Sequence, residues 1–223
     1  MLSVVVPCYN EEKNIPLIVS KFTKILEKSD EEIEVILVNN GSIDDSKSVF
    51  EKTLSYVSNN IRVLNIETNI GYGHGILSGL KTAKGDILAW THADLQTNPY
   101  DVILALKKFK KFNDSKLVIK GKRRNRNVID EFFTFGMQLY TELKLKIKLN
   151  DINAQPKLFS KTFFDQHFLF APEDFSLDLF LLIKAKKFGE IKTIDVIFKK
   201  RKFGESKGGG SIKGKFKLIK RTI

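Results

Sequence analysis

The first 120 residues alternate short apolar, β-branched runs with longer stretches of helical spacing, and no other feature of the chain narrows its fold as far. Ser3–Pro7, Glu34–Val38, Arg62–Ile66, Asp86–Trp90 and Lys116–Ile119 have the length, the branching and the polar flanks of strands. Between them, Asn14–Glu27, Asp45–Val57, Gly75–Lys84 and Tyr100–Phe112 repeat apolar residues three or four apart, as in Ile15, Ile18, Val19, Phe22, Ile25 and Leu26. Strand–helix alternation of this kind predicts an α/β fold, a mostly parallel central sheet with helices on both faces. Ligands of such sheets lie beyond the carboxyl ends of the strands, so the residues that follow each strand are where chemistry belongs.

Past residue 120 the alternation lapses. Helical spacing over about 129–149 runs into the alternating KLKIKL, a further helix is predicted over Phe175–Lys187 with Gly189 closing it, and Ile191–Phe198 reads as a last strand. The chain therefore reads as one catalytic-size domain over 1–198 and a basic tail over 199–223, with a loop at Lys207–Ser211. That tail holds ten Lys or Arg against one acid, Glu205, and so carries nine of the twelve net positive charges. Lys120, Lys122, Arg123, Arg124 and Arg126 form a second cluster. Either cluster suits a phosphate-bearing substrate or an anionic membrane surface, or keeps a solvated face soluble. Nothing matches a recognition helix, an RNP sequence or a finger, so nucleic acid is not an expected partner.

Composition closes other routes. With 42% hydrophobic residues the chain has material for a sizeable core, and 14 of its 18 phenylalanines fall after residue 130. The single cysteine, Cys8, excludes an internal disulfide and a Cys-based zinc site. No apolar run is long enough for a membrane span, and Glu11 and Glu12 interrupt the amino-terminal segment before a signal core forms, so a cytoplasmic chain is expected.

Three strand ends carry the candidate site. After the first strand, Pro7-Cys8-Tyr9-Asn10-Glu11-Glu12 offers a ring for stacking in Tyr9 and an acceptor for a ribose or base donor in Glu11. After the second, Asn39-Asn40-Gly41-Ser42-Ile43-Asp44 is equally well explained as an Asn-Gly turn with helix caps. The fourth runs into His92-Ala93-Asp94-Leu95-Gln96. Residues two apart in an extended segment point the same way, so His92, Asp94 and Gln96 are expected to converge, with donors suited to a divalent cation that keeps positions open for substrate oxygens.

Together, SVVVPCYNEEKNI, EVILVNNGSIDDS, NIGYGHGILSGLKTAKGDILAWTHADLQTNP, KGKRRNRN, DINAQPKLFSK, SLDLFLLIKAKKFG and VIFKKRKFGESKGGG resemble glycosyltransferase family 2, in its dolichyl- or polyprenyl-phosphate sugar transferase branch. The resemblance covers nearly the whole chain and implies the type A glycosyltransferase fold, a Rossmann-like nucleotide-sugar-binding architecture. It implies base and ribose contacts from Pro7, Tyr9, Glu11 and Asn39, a sugar, diphosphate and metal region at Asp86, His92, Asp94 and Gln96, and phosphate contacts from Arg123 or Arg126, Arg201, Ser206 and Lys207. The implied reaction is metal-dependent (Mg²⁺ or Mn²⁺) transfer with inversion from a nucleotide diphosphate sugar to a polyprenyl phosphate. The implied place is the inner face of the membrane, held by an anionic surface or a membrane-anchored partner. A lipid-linked or cell-surface saccharide is the alternative acceptor, and a degenerate homologue without activity a further one.

Two departures from the family pattern stand out. Asn39-Asn40-Gly41-Ser42 replaces the usual Asp-Asp-Gly-Ser, and His92-Ala93-Asp94 replaces Asp-x-Asp, leaving the metal region one carboxylate poorer. A sugar hydroxyl acceptor would need a general base, for which Glu173, Asp174 and Asp178 are candidates, unless they only favour a helix start; a phosphate monoester, already ionised at neutral pH, needs none.

Overall fold

The computed structural model describes residues 1–55, 57, 59–124, 142 and 146–203. Seven strands, β1 (Leu2–Cys8), β2 (Ile33–Asn40), β3 (Ile61–Ile66), β4 (Ile87–Trp90), β5 (Leu117–Arg124), β6 (Lys157–Ser160) and β7 (Glu190–Ile197), form one sheet in the order β3-β2-β1-β4-β6-β5-β7. Only β6 runs antiparallel to its neighbours. The helices are α1 (Ile15–Lys28), α2 (Ser46–Leu54), α3 (Tyr72–Lys81), α4 (Asp101–Phe112), α5 (Lys161–His167) and α6 (Leu177–Phe188).

The period-2 rule sorts the sheet into two cores. Val4, Val6, Val35, Leu37 and Ile119 face Ile18, Phe22 and Phe109 of α1 and α4, while Val5, Ile36, Val38, Trp90 and Phe159 face Ile76 and Leu80 of α3 and Leu181 of α6. The inner strands are buried on both faces, which is why β1 and β2 read as continuous apolar runs.

Two elements escaped the sequence reading. β6 is four residues long and opens on Lys157, which is fully buried; Nζ donates to the carbonyls of Ile152 (2.8 Å) and Ala154 (2.9 Å) and to Asp178 Oδ1 (2.6 Å). A lysine inside a strand conceals it from a hydrophobic pattern, yet its charge is compensated where it sits. α5 follows at once, capped by Ser160, whose Oγ accepts from Phe163 N–H at 2.9 Å. β5 also runs farther than expected, through Arg124. Its basic residues do not form one exposed cluster. Lys120 is buried and donates to the carbonyls of Gly121 and Asn150, Arg123 pairs with Asp151, and Arg124 with Asp195. Most of the helix expected over about 129–149 lies outside the described residues, as does the Lys207–Ser211 loop.

Candidate active site at the carboxyl ends of β1, β2 and β4

β1 lies between β2 and β4, with Cys8 beside Asn39 and Val5 beside Trp90, so the loops that follow the three strands share one edge. The first two loops are laced together. Asn10 N–H donates to Ser42 Oγ (3.1 Å), Ile43 N–H to Asn10 Oδ1 (2.9 Å), Glu11 N–H to Ser46 Oγ (3.1 Å) and Glu12 N–H to Asp44 Oδ2 (3.2 Å). Gly41 makes the turn at φ +66, where a Cβ would meet Asn69 N at 2.3 Å, so no other residue fits. Pro7 and Tyr9 are half-buried on this edge, and Asn39 is buried, its amide donating to Asn65 Oδ1 at 3.0 Å.

The loop after β4 does not continue as a strand. It turns after Trp90 and Leu95 takes φ +58, so the alternation that would align His92, Asp94 and Gln96 is lost and the three go to different partners. Asp94 Oδ1 accepts from Gln96 N–H (3.1 Å) and Oδ2 from Arg201 Nη2 (2.8 Å); Arg201 Nη1 lies 3.8 Å from Glu11 Oε1. Gln96 Nε2 donates to the carbonyl of Lys199 (3.1 Å), whose N–H returns to the Gln96 carbonyl (2.8 Å). Residues 199–201 thus cross the strand ends rather than leave as a tail, and Arg201 spans the carboxylates that follow β1 and β4.

His92 turns inward. Its Nε2 is 3.0 Å from Tyr72 Oη, which donates to Asp178 Oδ2 (3.2 Å); Asp178 Oδ1 accepts from Lys157 Nζ and from Gln155 Nε2 (3.0 Å). Burial holds the imidazole below its ordinary pKa, outweighing the pull of Asp94 and Asp178, so His92 is neutral at pH 7. Tyr72 stacks on Phe175 at 5.1 Å. Its place is fixed by Gly71 and Gly73, where a Cβ would strike the backbone of Glu173 at 2.3 and 2.6 Å, letting the loop before α6 close over the start of α3.

Two expected site residues lie elsewhere. Asp86 precedes β4, at the opposite end of the sheet; its side chain is 90% exposed and meets the amino terminus at 3.7 Å. Five residues separate it from His92, more than the strand's length. Arg123 is spent on Asp151, with Nε at 2.7 Å and Phe198 under its guanidinium at 5.2 Å, and the pairing outweighs burial to hold the Asp151 carboxyl below the usual range. Arg126, Ser206 and Lys207 lie outside the described residues.

Comparison with known proteins bears on this arrangement. The Glycosyl transferase family 2 profile matches residues 3–171, about three quarters of the chain and all three site loops. The chain belongs to glycosyl transferase family 2. Among curated family members, the undecaprenyl-phosphate 4-deoxy-4-formamido-L-arabinose transferase of Proteus mirabilis is 31% identical over 56% of this chain and 37% of its own. A dolichyl-phosphate beta-glucosyltransferase of Trichomonas vaginalis is 29% identical over 100% of this chain and 73% of its own. The chain spans well under two thirds of the length of the first of these. Among solved structures, glucosyl-3-phosphoglycerate synthase from Mycobacterium tuberculosis, in complex with Mn²⁺ and UDP-glucose, superposes with TM-score 0.72 at 17% identity, covering 98% of this chain and 76% of that one. A Pyrobaculum calidifontis mannosyltransferase in complex with GDP-Man and Mn²⁺ gives 0.65 at 18%, covering 91% and 58%. The fold is that of the type A glycosyltransferases.

For this family 2 chain the donor set can be weighed against a divalent cation. Among the described residues no three His, Cys, Asp or Glu are grouped to hold one. Asp94, however, already binds a cation, the Arg201 guanidinium, at the strand end, and one carboxylate with substrate phosphate oxygens is a common Mg²⁺ set. The residues present fit such an ion through Asp94.

Tyr72, Gln155 and Lys157 were missed by the sequence reading. Tyr72 sits inside NIGYGHG, but nothing local announces that its hydroxyl reaches Asp178, 106 positions on.

Proposed function

We propose that this chain is an inverting glycosyltransferase that moves a sugar from a nucleotide diphosphate sugar to a polyprenyl phosphate at a membrane surface, on its inner face. The observation that carries the reading is Arg201, held across the ends of β1 and β4 between Asp94 and Glu11, where a diphosphate would meet both its charge and an exchangeable carboxylate partner. The names of the curated relatives support the acceptor class. No described helix is long and apolar enough to cross a membrane.

In this reading Pro7, Tyr9, Glu11 and Asn39 receive the nucleoside, and Arg201 releases Asp94 and takes up charge on the departing nucleoside diphosphate, with Arg126, Ser206 and Lys207 as further phosphate contacts. A divalent cation, Mg²⁺ or Mn²⁺, would be held by Asp94 and would supply Lewis-acid stabilisation of the same leaving group. The acids able to serve as a base are engaged. Asp178 is ion-paired with Lys157, Asp174 accepts from Ser176 N–H (2.9 Å) and hydroxyl (2.6 Å), and Glu173 meets His74 at 3.3 Å. That favours an acceptor that arrives ionised, and a phosphate monoester, with a second pKa of about 6, does so at neutral pH.

The test is a panel of UDP- and GDP-sugars incubated with undecaprenyl or dolichyl phosphate, or with a saccharide acceptor, in the presence of Mg²⁺ or Mn²⁺. Sugar extracted into organic solvent only when the prenyl phosphate is present is the expected result. Transfer to the saccharide alone, or none to any acceptor, would overturn the reading.

A further inference from the structure

The segment that closes over the active site also carries the most conspicuous apolar exposure of the described surface. Leu169 and Phe170 are adjacent and 82% and 87% exposed, whereas Ile43 and Ile70 stand alone. Single exposed apolar residues are ordinary; a contiguous pair on a firm base is not. The base here is aromatic. Buried Phe168 stacks on Phe159 at 5.4 Å and meets Phe180 edge-on at 5.6 Å, and Ala171 N–H closes a turn onto its carbonyl at 3.1 Å.

Cations flank the aromatic base of the tip. Lys184 lies over the rings of Phe180 (5.2 Å) and Phe188 (5.7 Å), and Lys187 over Phe188 (5.1 Å). The nearby acids are engaged, Asp165 by Lys161, Glu173 by His74 and Asp174 by Ser176. An apolar point with lysines on its flank is complementary to an anionic bilayer, whose headgroups attract lysine while the acyl boundary takes the apolar side chains. The tip is also close to the chemistry. Three residue steps, at most about 11 Å of chain, take Phe170 to Glu173, whose carbonyl accepts from His74 N–H at the start of α3.

We propose that Leu169 and Phe170, flanked by Lys184 and Lys187, insert into an anionic lipid surface and dock the enzyme there. The docking gives the polyprenyl-phosphate reading, on which its purpose rests, a definite orientation. The acceptor phosphate would enter from the bilayer beside the loop that joins α5 to α6.

Vesicle binding of the full chain tests the docking without requiring turnover. With mixed phosphatidylcholine–phosphatidylglycerol vesicles at 1 M salt, where the Debye length is about 3 Å and the basic tail is screened, L169S/F170S should bind at least about tenfold more weakly than the parent. At low salt, K184A/K187A should lose about fivefold per lysine. Trp90 is fully buried, so emission from F170W reports the tip, and it should shift to the blue on adding vesicles. Binding unchanged in L169S/F170S, or F170W emission that does not move, overturns the proposal. So does a dimer that this double variant abolishes while vesicles are ignored, since the patch would then serve a second copy of the chain. L169S/F170S should retain turnover of a short-chain prenyl phosphate in detergent. A parent that docks but transfers to no prenyl phosphate would refute the acceptor and leave the docking standing.

Discussion

Asp178 joins the fold to the site, and replacing it with asparagine separates its structural part from a catalytic one. Its carboxylate is 3% exposed and its partner Lys157 is 0% exposed, so Asp178→Asn leaves an ammonium in the interior with neutral acceptors alone, the carbonyls of Ile152 and Ala154 and an amide oxygen. Removing one member of a buried pair costs about 3–5 kcal/mol. For a domain of this size 1 kcal/mol moves the melting temperature by about 2–4 °C, so the variant should melt roughly 6–20 °C lower. Burial already lowers the Lys157 pKa and Asp178 opposes that, so the ammonium in the variant should lose its proton more readily and the deficit should narrow as pH rises. Urea unfolding followed through buried Trp90 reads the loss. Adding Lys157→Met should restore most of it, because the uncompensated charge is then gone. A deficit under about 1 kcal/mol, or no rescue by Lys157→Met, would refute this account of the pair. A collapse of turnover with full stability would instead make Asp178 the general base.

Other buried charges give pH signatures of the same sign in two different windows. Burial pushes the Lys120 pKa down to about 7, so the cost of its charge is fully present below that and is lifted as pH rises toward the unfolded value of about 10.5. Stability of the parent relative to Lys120→Met should therefore climb between pH 7 and 9, and a flat difference would contradict the burial. At Glu34, burial favours the neutral acid but is outweighed by Ser3 Oγ (2.6 Å), Lys84 N–H (2.6 Å) and Arg62, which hold its pKa below the ordinary value. The stability it contributes is present above the unfolded pKa of about 4.3 and is lost as pH falls through the lower folded one, so Glu34→Gln should weaken the chain at pH 7 and flatten its acid unfolding.

What the sequence disclosed follows from what is local. β1, β2 and β4 were legible because two-sided burial writes apolar runs, and the edge they create predicts that the loops after them, with Glu11 and Asp94, come together. β6 and the reach of β5 were not, because Lys157 and Lys120 sit inside strands with their charges met by distant groups, Asp178 and the carbonyl of Asn150. The same holds for the Tyr72–His92–Asp178 chain. Leu95 shows a different limit, since one residue with positive φ ends the alternation that would have aligned Asp94 with Gln96. The error at Asp86 was avoidable, for a residue that opens a short strand cannot share a site with the loop that leaves it.

The central claim is that Asp94 and Arg201 handle the diphosphate of a sugar bound for a lipid phosphate, and proton NMR of the reaction product tests it most directly. The parent should yield a prenyl-phosphate sugar with the anomeric configuration opposite to that of the donor, while Asp94→Asn and Arg201→Ala, assayed below their melting temperatures, should give little or none. A product of retained configuration, or undiminished transfer by both variants, would contradict it.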